Sequence, residues 1–173
     1  MNFIFRLLLT INATSWMLVI YGIKEGITIH PIPLHIFGIV LLAIPIILSL
    51  ISIKISSFLG SDSITGCQEF SLADNEFLPT YLGYFFVSLS VSDNTTMIYL
   101  YGIVFVFTYL SQTQYFNPIF LLFGYHYYHI LTEQGTRVFV ISKGKVIRNR
   151  NNISFDNLKR INDTTYIQRK GHL

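Results

Sequence analysis

The chain has 173 residues, of which 51% are hydrophobic and only 12% are Asp, Glu, Lys or Arg. That charged share is about half of what soluble domains carry. Lys54 is the only charged residue between Gly26 and Ser61, and none lies between Asn94 and Thr132. Because a chain of this size cannot bury such long uncharged stretches in a core of its own, the composition excludes an ordinary soluble protein and predicts a membrane protein.

Four apolar segments are long enough, or nearly long enough, to cross the ~30 Å hydrocarbon core as helices. The third is the shortest, because its 16 uncharged residues would span only ~24 Å at ~1.5 Å per residue. It can cross if it extends to the interface or if the bilayer thins locally, and a re-entrant segment is the alternative. The predicted spans are residues 3–23, 34–53, 77–92 and 97–116.

Two prolines predict breaks in these helices. Pro45 falls in the middle of the second span, where a proline removes a backbone hydrogen bond and favours a kink. Pro118 follows the fourth span, and the Asn117-Pro118 pair predicts a break or kink at that point.

Charge predicts the orientation of the spans. Residues 1–124 contain three basic and six acidic residues, whereas residues 125–173 contain nine basic and three acidic residues. If four spans cross and both termini are cytoplasmic, Arg6, Lys54 and the nine basic residues of the tail lie inside, and only Lys24 lies outside. This arrangement agrees with the positive-inside rule, and the basic tail can also contact anionic lipid.

Two polar pieces flank the last two spans. The acidic loop 54–76 resembles a solvated connector, although 23 residues are long for a helix–helix connection and a docking surface is the alternative. The tail 125–173 contains β-branched and aromatic runs separated by glycine turns, which predict a small antiparallel sheet. We expect one short helix in the polar stretch 155–166. The predicted fold class is therefore an all-α integral membrane protein, with a transmembrane domain at 1–124 and a small β-rich cytoplasmic module at 125–173.

No catalytic signature is present, so we expect neither an enzyme nor a cofactor. Cys67 is the single cysteine, which excludes a disulfide framework and favours an inert thiol. His126 and His129 would point to opposite faces of a strand, so a metal site is not favoured. The tail basics are spread out rather than clustered, which indicates a solvated face rather than a nucleic-acid contact.

The charged residues of the loop and the tail are candidates for docking a partner protein. In the four-span arrangement the two pieces share the cytoplasmic side, and their combined surface could change when the spans tilt. The candidates are Asp62, Glu69, Asp74, Glu76, Arg137, Lys143, Lys145, Arg148 and Arg150.

The chain resembles the membrane subunits of the Kiwa anti-phage defence system. The resemblance rests on the plan of four short spans, an acidic loop and a basic tail, and covers most of residues 1–150. It is carried by three segments, GCQEF at 66–70, LPTYLGYFF at 78–86 and NPIFLLFGY at 117–125. It implies an oligomeric protein of the bacterial inner membrane that reports phage arrival to a soluble DNA-binding partner, without contacting nucleic acid directly.

Two other classes of function agree with the same residues. A small pore-forming effector would depolarise cells when it is expressed alone. An accessory or immunity subunit of a transporter or toxin would be silent alone. We expect a sensor or scaffold rather than a pore, because the spans carry no evident polar or charged stripe.

Overall fold

The computed structural model describes residues 3–26, 33–111, 115–146 and 154–169. Backbone contacts divide the chain into two compact units. The helical unit comprises residues 6–51 and 76–117, and the sheet unit comprises residues 1–5, 52–75 and 118–173.

Five α-helices occur in the described residues, and three of the helical segments are long and apolar enough to span a membrane: Phe3–Lys24, His35–Phe58 and Asn94–Ser111. The third helix has 13 residues, about 20 Å at ~1.5 Å per residue, and is by itself shorter than the hydrocarbon core. The helices are α1 (Phe3–Lys24), α2 (Leu34–Ile55), α3 (Leu78–Ser90), α4 (Asn94–Ser111) and α5 (Pro118–Leu122).

Both prolines singled out in the sequence occupy helical positions. Pro45 lies inside α2, and Pro118 is the first residue of α5. The first position of a helix suits proline, because the missing N–H has no partner there in any case. The kinks themselves stay predictions.

The sheet unit is built on one mixed sheet of six strands, in the spatial order β1-β5-β6-β4-β3-β2. Its neighbours are antiparallel except for β4 and β6, which run parallel. The strands are β1 (Ser61–Thr65), β2 (Cys67–Leu72), β3 (Tyr125–Thr132), β4 (Arg137–Lys143), β5 (Ser154–Arg160) and β6 (Thr165–Gln168).

The two outermost strands of this sheet, β1 and β2, are joined by a single residue, Gly66. Its φ of +82° lies in the left-handed region that favours glycine. With β1 and β2 counted as one bent strand, the order and the one parallel pair are those of the oligonucleotide/oligosaccharide-binding fold, a partly open five-stranded Greek-key barrel. A fold of this kind hosts many functions and does not assign one.

Alternate residues of the strands fill the interior of this barrel-like sheet. Tyr128 and Ile130 of β3 lie beside Val138 and Val140 of β4, and all four are buried. The same core takes in residues from β1, β5 and β6, namely Ile64, Phe155, Leu158 and Tyr166.

The predicted fold class is wrong, because the chain is not all-α with a small β-rich module. Two strands, β1 and β2, come from the loop 54–76, and the stretch 155–166, for which a helix was predicted, contains β5 and the start of β6. Local sequence concealed these strands because Ser61–Thr65 is mostly polar, and its pairing partner β5 lies some 90 residues away in the chain.

Candidate docking surface of the sheet unit

A groove of about 560 Å³ lies along β2, β3 and the start of β4. Because side chains alternate between the faces of a strand, His129 and Leu131 lie on the face opposite to the core residues Tyr128 and Ile130. The groove is lined by Gln68, Glu69, Phe70, Ser71, His129, Ile130, Leu131 and Arg137.

Two opposite charges stand in this groove on either side of one apolar residue. Leu131 of β3 lies opposite Glu69 of β2 and opposite Arg137 of β4. Residues directly opposite one another in adjacent strands share a face of the sheet. Glu69 and Arg137 are both exposed, so the groove presents an acidic and a basic group to a binding partner.

A histidine next to this pair adds an aromatic surface. His129 lies opposite Ser71 on one side and Phe139 on the other. Its ring centroid is 5.3 Å from that of Phe139, at an interplanar angle of 50°. From the sequence, His129 was interpreted as an interfacial polar aromatic residue rather than a metal ligand, and its place in the groove was not predicted.

Asp74 has its carboxylate engaged inside the sheet unit. Its Oδ2 lies 2.7 Å from Nδ1 of His126, and its Oδ1 accepts the backbone N–H of Tyr127 at 2.7 Å. The two side chains are only 18% and 22% exposed. The structure therefore gives Asp74 a role in holding the start of β3.

Asp62 lies at the other side of the sheet, on β1. It accepts the backbone N–H of Ser63 at 2.8 Å. Burial, and secondly the Asp62 carboxylate, raise the pKa of the Tyr166 hydroxyl. A carboxylate that accepts a hydrogen bond from a phenol favours the protonated phenol.

The other candidates are dispersed. Glu76 is an exposed residue of the helical unit. Lys143 is the last residue of β4, at the end opposite to Arg137, and Lys145 follows the strand. Arg148 and Arg150 lie outside the described residues. Of the nine candidates, Glu69 and Arg137 are the two that the groove brings together.

A buried polar cluster in the helical unit was missed by the sequence analysis. The Ser49 hydroxyl accepts hydrogen bonds from the side-chain amides of Asn12 at 2.9 Å and Asn117 at 3.0 Å. It donates to the backbone carbonyl of Pro45 at 2.7 Å. All three polar side chains are at most 1% exposed. Thr10 is buried as well, so the helical unit contains polar side chains that the absence of a polar stripe in the sequence did not predict.

The chain was compared with known families and proteins. The model of one family, described as anti-phage protein KwaA, matches residues 5–167. No curated protein and no solved structure matches the chain.

Proposed function

The chain belongs to the KwaA family of anti-phage proteins, and we propose that it is the membrane sensor and scaffold of its antiviral complex. Its role in antiviral defence follows from the family, and the resemblance to Kiwa membrane subunits is thereby confirmed. The proposed role adds three parts: insertion in the bacterial inner membrane, assembly into a homo-oligomer, and docking of a soluble DNA-binding partner. None of these parts requires catalysis.

Strand pairing supports a four-span topology. Residues 61–72 precede α3 and α4, residues 125–168 follow them, and both stretches contribute strands to one sheet. Paired strands must lie on the same side of a bilayer, so the chain between them crosses an even number of times. If α4, which is long and apolar enough to span, crosses the bilayer, α3 crosses too, with local thinning of the bilayer around its 13 residues. The basic residues of the tail favour the cytoplasm for this side.

The exposed faces of two helices support self-association. Gly83 of α3 and Gly102 of α4 have open space where a Cβ would stand. Around Gly102 the side chains of Ile98, Tyr99 and Phe107 are 65–71% exposed. Small residues on an apolar helix face let a second helix approach closely in a membrane.

The groove supports partner docking, and it is the observation that carries the proposal. Glu69, Arg137 and His129 line one concave surface, and paired opposite charges in a groove favour a partner with complementary charges. The acid in the groove does not suit a polyanion, which keeps direct nucleic-acid binding outside the proposal.

Charge reversal in the groove tests the docking step. We expect Arg137→Glu and Glu69→Arg each to reduce co-purification of the soluble Kiwa subunit by tenfold or more, and to reduce phage protection, because each places like charges against the partner. Asp163→Arg is the matched control, since Asp163 is 87% exposed in the β5–β6 turn, away from the groove residues in sequence and strand order. Retention of both partner and protection by the two groove variants would overturn the proposal.

A further inference from the structure

The parallel pairing of β4 and β6 places two cations at one end of the sheet. Ser142 of β4 lies opposite Gln168 of β6, and the Ser142 hydroxyl donates to Gln168 Oε1 at 2.7 Å. The next residue of each strand is basic, Lys143 in β4 and Arg169 after β6. Because parallel strands end at the same edge, these two exposed cations are neighbours.

Tyr125 lies beside these two cations. β3 runs antiparallel to β4, so its first residue, Tyr125, lies opposite Lys143. The Lys143 ammonium is 5.6 Å from the centroid of the Tyr125 ring. Burial raises the pKa of Tyr125, and the charge and side chain of Arg169 act in the opposite direction. Tyr125 is almost fully buried, so its ring is a fixed support for the two exposed cations.

Exposed apolar side chains lie near the cations along the chain. Gly144 donates its N–H to the carbonyl of Gly124 at 3.0 Å, which fixes the segment after β4 to the junction of α5 and β3. Leu122 in α5 is 77% exposed, and Val146 is 37% exposed. We call Lys143, Arg169, Tyr125 and Leu122 the cationic collar.

Few acids lie near the collar, and the one fixed to the start of β3, Asp74, is engaged by His126 and by the backbone N–H of Tyr127. Between Glu133 and Asp156 every charged residue is basic, and the stretch from Asn94 to Thr132 carries no charge. Along the chain, the helical unit ends at Asn117, and α5 begins at the next residue, Pro118, in the sheet unit.

We propose that the cationic collar binds the phosphate of an anionic phospholipid, with Leu122 reaching into the acyl region. Lys143 and Arg169 supply the charge-assisted hydrogen bonds that a phosphate accepts. Leu122 gains from burial among acyl chains and gains nothing from a soluble phosphate, so the exposed leucine favours lipid over a free anion. The inference rests on the membrane insertion proposed above.

Lipid retention by the purified full-length protein tests the collar. Native mass spectrometry in detergent would compare added phosphatidylglycerol with phosphatidylcholine for wild type, Lys143→Gln, Arg169→Gln and the double variant. One juxtamembrane cation contributes about 1 kcal/mol to anionic lipid binding, so we expect about a fivefold loss of phosphatidylglycerol affinity per substitution. Arg160→Gln is the matched control, because Arg160 of β5 lies opposite Tyr166 in the strand register, near the other end of β6.

The remaining outcomes separate this inference from its alternatives. Leu122→Ser should lower the retention of phosphatidylglycerol without raising the retention of phosphatidylcholine. Inorganic phosphate should compete poorly with phosphatidylglycerol. Equal losses in Arg160→Gln and the collar variants would overturn the proposal, and so would full competition by inorganic phosphate. Release of the wild type from membranes by alkaline carbonate would instead refute the proposed membrane role, whereas an integrated protein with no phosphatidylglycerol preference would refute the collar alone.

Discussion

Asp74 and His126 are joined at 2.7 Å between Oδ2 and Nδ1, while the second carboxylate oxygen of Asp74 accepts the N–H of Tyr127. The backbone of the preceding residue, Ala73, donates to the Tyr127 carbonyl at 2.8 Å. These bonds extend the pairing of β2 with β3 beyond the last strand residue, so that the exit of the acidic loop is fixed to the first residues of the tail.

Removal of this carboxylate should destabilise the sheet unit. We expect Asp74→Ala to cost about 1–3 kcal/mol, since a partly buried N–H and an imidazole lose their acceptor. Thermal unfolding in detergent measures the effect, with the exposed Glu69→Ala as control. If Asp74→Ala kept the wild-type melting temperature and lost the soluble partner, Asp74 would belong to the docking surface instead.

The bend between β1 and β2 depends on glycine. Gly66→Ala should cost about 1–2 kcal/mol, because an alanine at φ +82° is strained. The Glu133 side chain lies where the new Cβ would stand, and it can rotate away, so the backbone strain sets the cost. Gly60→Ala, which meets open space and has no positive φ, should leave the melting temperature unchanged. Equal melting temperatures for the two variants would contradict the bent-strand account.

The stability of the N-terminal turn of α4 should depend on pH. Asp93 accepts the backbone N–H of Thr96 at 2.8 Å, and this hydrogen bond lowers the pKa of Asp93 below its ordinary 3.8. A lowered pKa means that the stabilisation is present at neutral pH and is lost as the pH falls through the folded-state pKa. We expect Asp93→Ala to melt below wild type at pH 7, with a difference that shrinks in strong acid. Asp93→Asn, which can still cap, should lose little. A difference that is constant with pH would exclude the carboxylate as its source.

The cluster around Ser49 should stabilise the helical unit. Ser49→Ala removes the acceptor of the Asn12 and Asn117 amides, and each hydrogen bond between membrane helices contributes roughly 0.6–1.7 kcal/mol. We expect a loss of about 1–2 kcal/mol in detergent unfolding. Ser57→Ala removes an exposed local bond to the Lys54 carbonyl and should have no comparable effect. A neutral Ser49→Ala would show that water replaces the hydroxyl.

Self-association should depend on the exposed face of α4. We expect Gly102→Ile to lower the oligomer fraction measured by mass photometry in nanodiscs, because the larger side chain separates the helices. The fold of the protomer should survive, since open space surrounds this position. Gly102→Ala should give a smaller effect. Wild type that is monomeric at 19.9 kDa at every concentration would refute self-association outright.

The uneven charge and hydropathy of the chain were sufficient to predict the apolar helices. Hydropathy over some twenty residues is a local property, and the three long apolar helices overlap the predicted spans 3–23, 34–53 and 97–116. The plan of the chain, with the segments 66–70, 78–86 and 117–125, indicated the family, and the match over residues 5–167 confirms that family.

Only the tertiary structure revealed the six-stranded sheet and the contacts that its strand pairing creates. β1 and β2 pair with strands that lie far along the chain, and such pairing leaves no periodic signal in a short polar stretch. The same pairing makes the loop and the tail one unit, separates Glu69 and Arg137 from the other candidate charges, and sets Lys143 beside Arg169. It also supports the proposal that α3 crosses together with α4, which hydropathy alone does not suggest because a 13-residue helix is shorter than the hydrocarbon core.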